Sequence, residues 1–383
     1  MDGPRSCSAR YLPGEPRPPA LALHSFVNGA KSARLLGRRR CRAIEVGFVR
    51  KSTRRLFDRG AMPSCADRGV LGATVGIDRM AAMGVVAIVA ALVLEQWRPV
   101  GERKALSAPL ARWADALERS FNTGDARHGA LAWAIAAAAP AAGALALYGL
   151  AAWASPLAAL AVNVAALYLT LGFRQFSYRF TAIQQALKSG DTARAREWIG
   201  AWRGESAQHR STEEVARLAL EEALAAAHRH VFAVLFWFVV LPGPSGAILY
   251  RLAAFFARRW AGCGAFGDFS QRALSLLEWP TARLTAASFA VVGDFEDAVY
   301  CWRSQAPAWP DPNLGVVLAA GAGAMGVRLG MPLAEAEGLQ PRPELGLGES
   351  ADAAFLDSAV GLLWRAVVLW VFVLALISLA RMF

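Results

Sequence analysis

One long stretch of the chain carries no charge. Between Arg127 and Arg174 lie 46 residues, 128–173, without an Asp, Glu, Lys or Arg. As continuous helix this run would measure roughly 69 Å, about twice the ~30 Å hydrocarbon thickness of a bilayer. It has to cross twice, and Ser155-Pro156 is its natural turn. The pattern predicts helices near 129–153 and 157–173 joined by a very short loop. A buried core hairpin is the alternative, and so long an uncharged run argues against it. Shorter uncharged stretches lie at 80–94, 230–250, 284–293, 312–327 and 366–380. The first and last are acceptable crossings once flanking side chains snorkel. The run 230–250 is interrupted by Pro242-Gly243-Pro244-Ser245-Gly246. Such a break predicts a discontinuous or re-entrant helix, tolerated at membrane depth only where protein or a water-filled cavity covers the backbone.

The segment 174–230 is helical by pattern rather than by hydropathy. Around Ser189-Gly190-Asp191-Thr192 one helix stops and another starts, capped by Asp191 or Thr192. A further helix opens at Ser211, with Glu214 at capping-box spacing, and runs through Val215, Leu218, Leu220 and Leu224. The segment therefore reads as a cytoplasmic helical hairpin. Its nine Lys and Arg residues, with six more in 95–128, place both segments on the cytoplasmic side, and the uncharged turn at 154–156 outside. The stretch 329–358 holds Arg342 as its only basic residue against six acids, which predicts an outer-face loop, with a last helix returning inward.

Composition supports the same class. Hydrophobic residues make up 55% and charged residues 19% of the 383, where a soluble domain has about 25% charge. The expected fold is therefore all-α, a polytopic helical membrane protein with the lipid bilayer as its first partner. The net charge of +11 does not indicate nucleic acid. Residues 1–79 hold 16 basic and 6 acidic side chains, a balance of +10, and the remainder is nearly neutral. This proline- and arginine-rich segment carries no nucleic-acid motif and reads as disordered. It is either a basic arm or targeting segment, or lies ahead of a true start at Met80 or Met83, the preferred reading. Cys263 and Cys301 are the only cysteines of the body, too few and too far apart for a disulfide framework or a metal set.

Several motifs in order carry a resemblance. Gly190-Asp191-x-x-x-Ala195-Arg196 is followed by Arg217-x-x-x-Glu221, Phe236 and Gly243-Pro244-Ser245-Gly246-Ala247-x-x-Tyr250-Arg251. Arg272 and Ala282-Arg283-Leu284 come next. The strongest piece is Asp311-Pro312-Asn313-Leu314-Gly315 with the Gly/Ala run 320–330. Over about residues 83–331 the chain resembles the CobD/CbiB family of membrane-bound adenosylcobinamide-phosphate synthases, with features similar to AmpE-like relatives around His230–Phe238.

The resemblance implies a bacterial inner-membrane protein that ligates aminopropanol phosphate to a propionate of adenosylcobyric acid, using ATP and Mg²⁺. It implies a corrinoid substrate and leaves self-association into a homo-oligomer open. Glu221 and Arg217 become the expected catalytic residues. Arg251, Arg283, Asn313 and Arg328 become the expected substrate-binding residues, since guanidinium groups suit phosphate and carboxylate. The chain departs from the family pattern where Ala254–Arg259 replace an N-T-L-D-S-M stretch. Arg229-His230 stand in place of Asp-Gly, Leu274-Ser275 in place of two aspartates, and Glu278 in place of an asparagine. Among matched positions only Glu221, with Glu222 beside it, offers Mg²⁺ a hard oxygen ligand. A non-catalytic, AmpE-like sensor or accessory protein is the alternative function. A transporter is a third, without the inverted repeats that many transporters show.

Individual signals have simpler readings. His228 and His230, two apart on a helix, point to different sides and form no metal pair. Arg365, inside the last apolar run, is expected to snorkel or to pair with Asp357. Trp279, Trp302 and Trp309 read as interfacial anchors, and Asp294, Glu296 and Asp297 as a solvated loop.

Overall fold

The computed structural model describes residues 83–97, 104–335 and 338–380; the basic segment 1–79 lies outside them. The described chain is all-helical apart from short strands between residues 327 and 350, the architecture expected of a polytopic helical membrane protein. Its helices are α1 Met83–Trp97, α2 Lys104–Phe121, α3 Ala126–Ala154, α4 Pro156–Thr170, α5 Phe173–Lys188, α6 Thr192–Arg203, α7 Thr212–Val240, α8 Ser245–Arg259, α9 Ala265–Val292, α10 Phe295–Ser304, α11 Pro312–Met325 and α12 Ala353–Ala380. Three of these, α3, α7 and α12, are long and apolar enough to cross a membrane.

The uncharged run folds as its pattern demands. Asp125 caps α3 by accepting the Arg127 N–H at 3.0 Å. Ser155 ends α3 and starts α4, its Oγ accepting the Ala158 N–H at 3.0 Å, and Pro156 takes the first helical position, where a missing N–H costs nothing. Leu147, Leu150, Trp153 and Leu157 stand exposed along this hairpin. Apolar surface of this kind is at home in hydrocarbon.

The helix α7 is the axis of the fold. Its N-terminus has the full capping box between Ser211 and Glu214, and nearly every side chain from Val215 to Leu235 is buried against α5, α9, α11 and α12. A π-turn at His228–Phe232 shifts its register. After Val240 the chain breaks at Pro242–Pro244 and resumes as α8, the predicted discontinuity. Here Gly246 has no room for a side chain, since a Cβ would lie 1.9 Å from the Trp237 carbonyl oxygen. The apolar stretch 312–327 becomes α11, buried on almost all sides, so its uncharged character is that of a core helix. Asp311 caps α11 through the N–H groups of Asn313 and Leu314. A second, smaller core joins α2, α3, α8 and α9 around Trp260, Phe256 and Phe266.

The stretch 329–358 corrects an expectation. Strand β1 (Val327–Gly330) pairs antiparallel with β4 (Glu344–Leu345) and parallel with β5 (Glu349–Ser350), while β2 (Leu333–Glu335) and β3 (Gly338–Gln340) form a hairpin. Arg342 pairs with Glu221 at 2.5 Å, Arg217 donates to the Pro332 carbonyl at 3.2 Å, and Lys188 pairs with Asp357 at 2.7 Å. The stretch is thus bound to the very helices expected on the cytoplasmic side, and the two cannot lie on opposite faces. The acids of 329–358 complement the basic 174–230 segment, whereas orientation follows Lys and Arg alone. Asp357 is also the partner of Lys188 and Gln184 rather than of Arg365, whose Nε donates to the Gly361 carbonyl.

Candidate functional site

A cavity of about 430 Å³ opens between the C-terminal half of α8, the first half of α9 and the turn leading into α11. Arg229 of α7, Arg258 of α8, Gln271, Arg272, Ser275 and Glu278 of α9, and Asp311 contribute polar groups to its wall. Helical spacing explains the α9 set. Residues 271, 275 and 278 lie four and three apart and share one face.

The buried end of this cavity is an ordered ionic cluster. Glu278, only 3% exposed, accepts a hydrogen bond from the Tyr250 hydroxyl at 3.1 Å and lies 3.5 Å from Arg229 Nε. Asp311 Oδ2 lies 3.5 Å from Arg229 Nη2. One guanidinium therefore holds two carboxylates that come from α9 and from the cap of α11. Burial pushes the Glu278 carboxyl above the usual carboxylate range, and the neighbouring Arg229 opposes that rise. A raised affinity for protons makes this carboxylate the better proton acceptor.

The residues singled out from the sequence fall into two groups. Arg251, Arg283 and Asn313 brace the helices around the cavity without lining it. Arg251 bonds His230 at 2.7 Å. Asn313 Nδ2 donates to the Ser275 carbonyl at 2.9 Å, and its Oδ1 accepts from Arg283 at 3.4 Å. Arg217, Glu221 and Arg328 form the second group, beneath the short strands. Both Glu221 oxygens are engaged, one by the Gly330 N–H at 2.9 Å and the other by Arg342. In this arrangement Glu221, with both oxygens engaged, braces the stranded segment against α7. Arg328 reaches Ser350 Oγ at 3.3 Å and Glu344 at 3.8 Å.

The remaining signals resolve simply. His228 bonds Thr285 while His230 faces Arg251, so the two histidines do separate. Asp294 caps α10. Trp279 is exposed and lies under the Arg283 guanidinium, and Trp309 under that of Arg342. Among the described residues no three His, Cys, Asp or Glu side chains are grouped to hold a metal. The pair Glu278 and Asp311 does not fit a protein-held Mg²⁺ either, because a guanidinium already lies between them.

Arg229, Glu278, Tyr250 and Arg258 escaped sequence reasoning as site residues. A signal was present: Arg229 and Glu278 both sit where the chain departs from the family pattern, with opposite charges. Two such departures are what an ion pair would produce, and the structure joins them.

A membrane protein whose packed helices enclose a charged cavity, with only short strands on one flank, is the class that fold and site define. The chain belongs to the CobD/Cbib protein family, whose family model matches residues 86–363. It is 36% identical over 295 residues to a cobalamin biosynthesis protein CobD of Stutzerimonas stutzeri, covering 75% of this chain and 95% of that protein. The protein of the same description from Chromobacterium violaceum is 38% identical over 207 residues, 53% of this chain and 66% of the relative. That of Mycobacterium tuberculosis is 48% identical over 81 residues, 21% of this chain and 26% of the relative. No solved structure matches.

Proposed function

We propose that the chain is a multi-pass inner-membrane amide ligase of cobalamin biosynthesis, and that the cavity around Glu278 is where aminopropanol phosphate and a propionate of adenosylcobyric acid are joined. The convergence of Glu278 and Asp311 on Arg229 inside the family-matched region carries this reading. Amide formation needs a neutral amine to attack an activated acyl carbon. ATP, as co-substrate, supplies the activation by converting the propionate into a mixed phosphoric anhydride, whose phosphate leaves with the C–O electron pair as the C–N bond forms. Glu278, facing the cavity with raised proton affinity, takes the proton that the amine loses. Arg229 keeps Glu278 and Asp311 in place, and Tyr250 fixes the Glu278 rotamer by its hydrogen bond.

Complementation tests the reading. The full chain, expressed in a bacterial strain lacking its own synthase, is expected to restore growth that depends on cobalamin made from cobyric acid. Glu278→Gln should abolish that growth, while Asp268→Asn, at an exposed position outside the cavity, should leave it intact. A second reading, an AmpE-like protein that binds without turnover, is favoured by the guanidinium standing between the two acids. It would be adopted if the membrane-inserted wild-type chain supported no growth.

A further inference from the structure

The cavity contains more positive charge than its acids use. Arg229 is taken up by Glu278 and Asp311. The other two arginines on its wall are not. Arg258 spends only its Nε, on the Ala254 carbonyl at 3.1 Å of its own helix. Among the described residues Arg272 has no hydrogen bond or ion pair. They come from different helices, α8 and α9, and Gln271 ties those helices together by donating to the Ala257 carbonyl, next to Arg258. Arg272 and the two terminal nitrogens of Arg258, facing one concave space, are a donor set for a phosphate group, which each guanidinium can grip by two parallel N–H bonds.

The carboxylates of the same cavity decide whether a metal accompanies that phosphate. Mg²⁺ at a phosphate site is ordinarily held by one or two carboxylates as well as by the phosphate oxygens. Here the two carboxylates that the described residues place on the wall, Glu278 and Asp311, each lie 3.5 Å from nitrogens of Arg229. A divalent ion bridging them would have to displace a buried arginine. The positive charge that such an ion would bring is already supplied by the protein.

We propose that the cavity binds a phosphate monoester through Arg258 and Arg272 without a protein-held divalent cation, Arg229 filling the space between Glu278 and Asp311 that such a cation would need. The phosphate carrier is the phosphorylated amine. This assignment of the carrier rests on the proposed function; the guanidinium site itself rests on the geometry alone.

Calorimetric titration of the detergent-solubilised full chain tests the proposal, with aminopropanol phosphate, inorganic phosphate and ATP as separate probes, each in EDTA and in Mg²⁺. Aminopropanol phosphate and inorganic phosphate are expected to bind equally well in both media. Arg258→Ala and Arg272→Ala, both at exposed positions that leave the packed core intact, should each weaken binding on the order of tenfold, the scale of a charge-assisted hydrogen bond. Arg272→Lys should recover part of the loss, and Asp268→Asn should change nothing. Phosphate binding that requires Mg²⁺, or that is indifferent to both alanine variants, would overturn the site. ATP binding alone would overturn the assignment of the carrier. Competition by phosphatidylglycerol vesicles with no binding of free phosphate would mark a lipid contact and overturn it as well. Intact phosphate binding in a chain that fails complementation would remove the ligase reading and leave the site standing. Growth without phosphate binding would do the reverse.

Discussion

Arg342 and Glu221, 121 residues apart in sequence, meet in a buried ion pair at 2.5 Å, and the same guanidinium lies over the Trp309 ring at 4.9 Å. The contact joins the stranded segment after α11 to the axial helix α7, and through Trp309 it reaches the turn two residues before Asp311. Breaking such a pair from one side leaves an uncompensated buried charge, a loss of about 3–5 kcal/mol. Glu221→Ala and Arg342→Ala should each lower the melting temperature in detergent to a similar degree. Replacing both residues with leucine should recover most of the loss. A stable double variant unable to support cobyric-acid-dependent growth would return Glu221 to the catalytic role its motif implies.

The same contacts make a prediction about topology. Single cysteines at Gln208 and Glu349, both exposed, should react with a membrane-impermeant maleimide from the same side of oriented membrane vesicles. The background is low once Cys7, Cys41 and Cys65 are serine. Cys263 is buried, and burial with the nearby Asp297 pushes the Cys301 thiol up to about 11, leaving almost no thiolate at neutral pH. Labelling of the two sites from opposite sides would contradict the pairing of Lys188 with Asp357.

Close packing of α11 gives a sharper test of the core. A Cβ on Gly323 would lie 2.5 Å from the Asp297 carbonyl oxygen, and backbone cannot yield as a flexible side chain does. Gly323→Ala should destabilise the protein by about 1–3 kcal/mol. Gly143 has nothing within 4 Å of the equivalent position. There alanine should be neutral or slightly stabilising, since it is the better helix former by about 1 kcal/mol. Equal effects at the two glycines would mean that α11 does not pack as described.

What was legible in the sequence was local or periodic. The 46-residue uncharged run gave the hairpin of α3 and α4 with its Ser155 cap, and Ser211 with Glu214 gave the start of α7, because caps and hydrophobic periods act over three or four residues. The break at Pro242–Gly246 was readable for the same reason. Contacts distant in sequence were not. Nothing within 329–358 announces that Arg342 will seek Glu221, and six acids in that stretch look like a loop repelled by nothing until their basic partners are known. The cavity failed in a similar way. Arg229, Glu278 and Asp311 are spread over 82 residues, and each alone is an ordinary surface-type side chain.

The position of Arg229 between two acids has a pH consequence. Glu278 already binds its proton more tightly in the fold than an ordinary carboxyl does, chiefly through burial, with Asp311 adding and Arg229 subtracting. A carboxyl raised in the folded state contributes stability that is complete below its unfolded value and is lost as pH rises through the folded value. Arg229→Ala removes the opposing cation, so the folded value rises further and the loss grows. The variant should melt much closer to wild type at pH 4 than at pH 8, with the gap opening above the ordinary carboxylate range. It should also acquire affinity for a divalent ion between Glu278 and Asp311, read as an Mn²⁺ resonance signal absent from wild type and as a recovery of melting temperature at pH 8 on adding Mn²⁺. A gap that stayed constant with pH, with no gain of Mn²⁺ binding, would show that the two carboxylates do not share this cation.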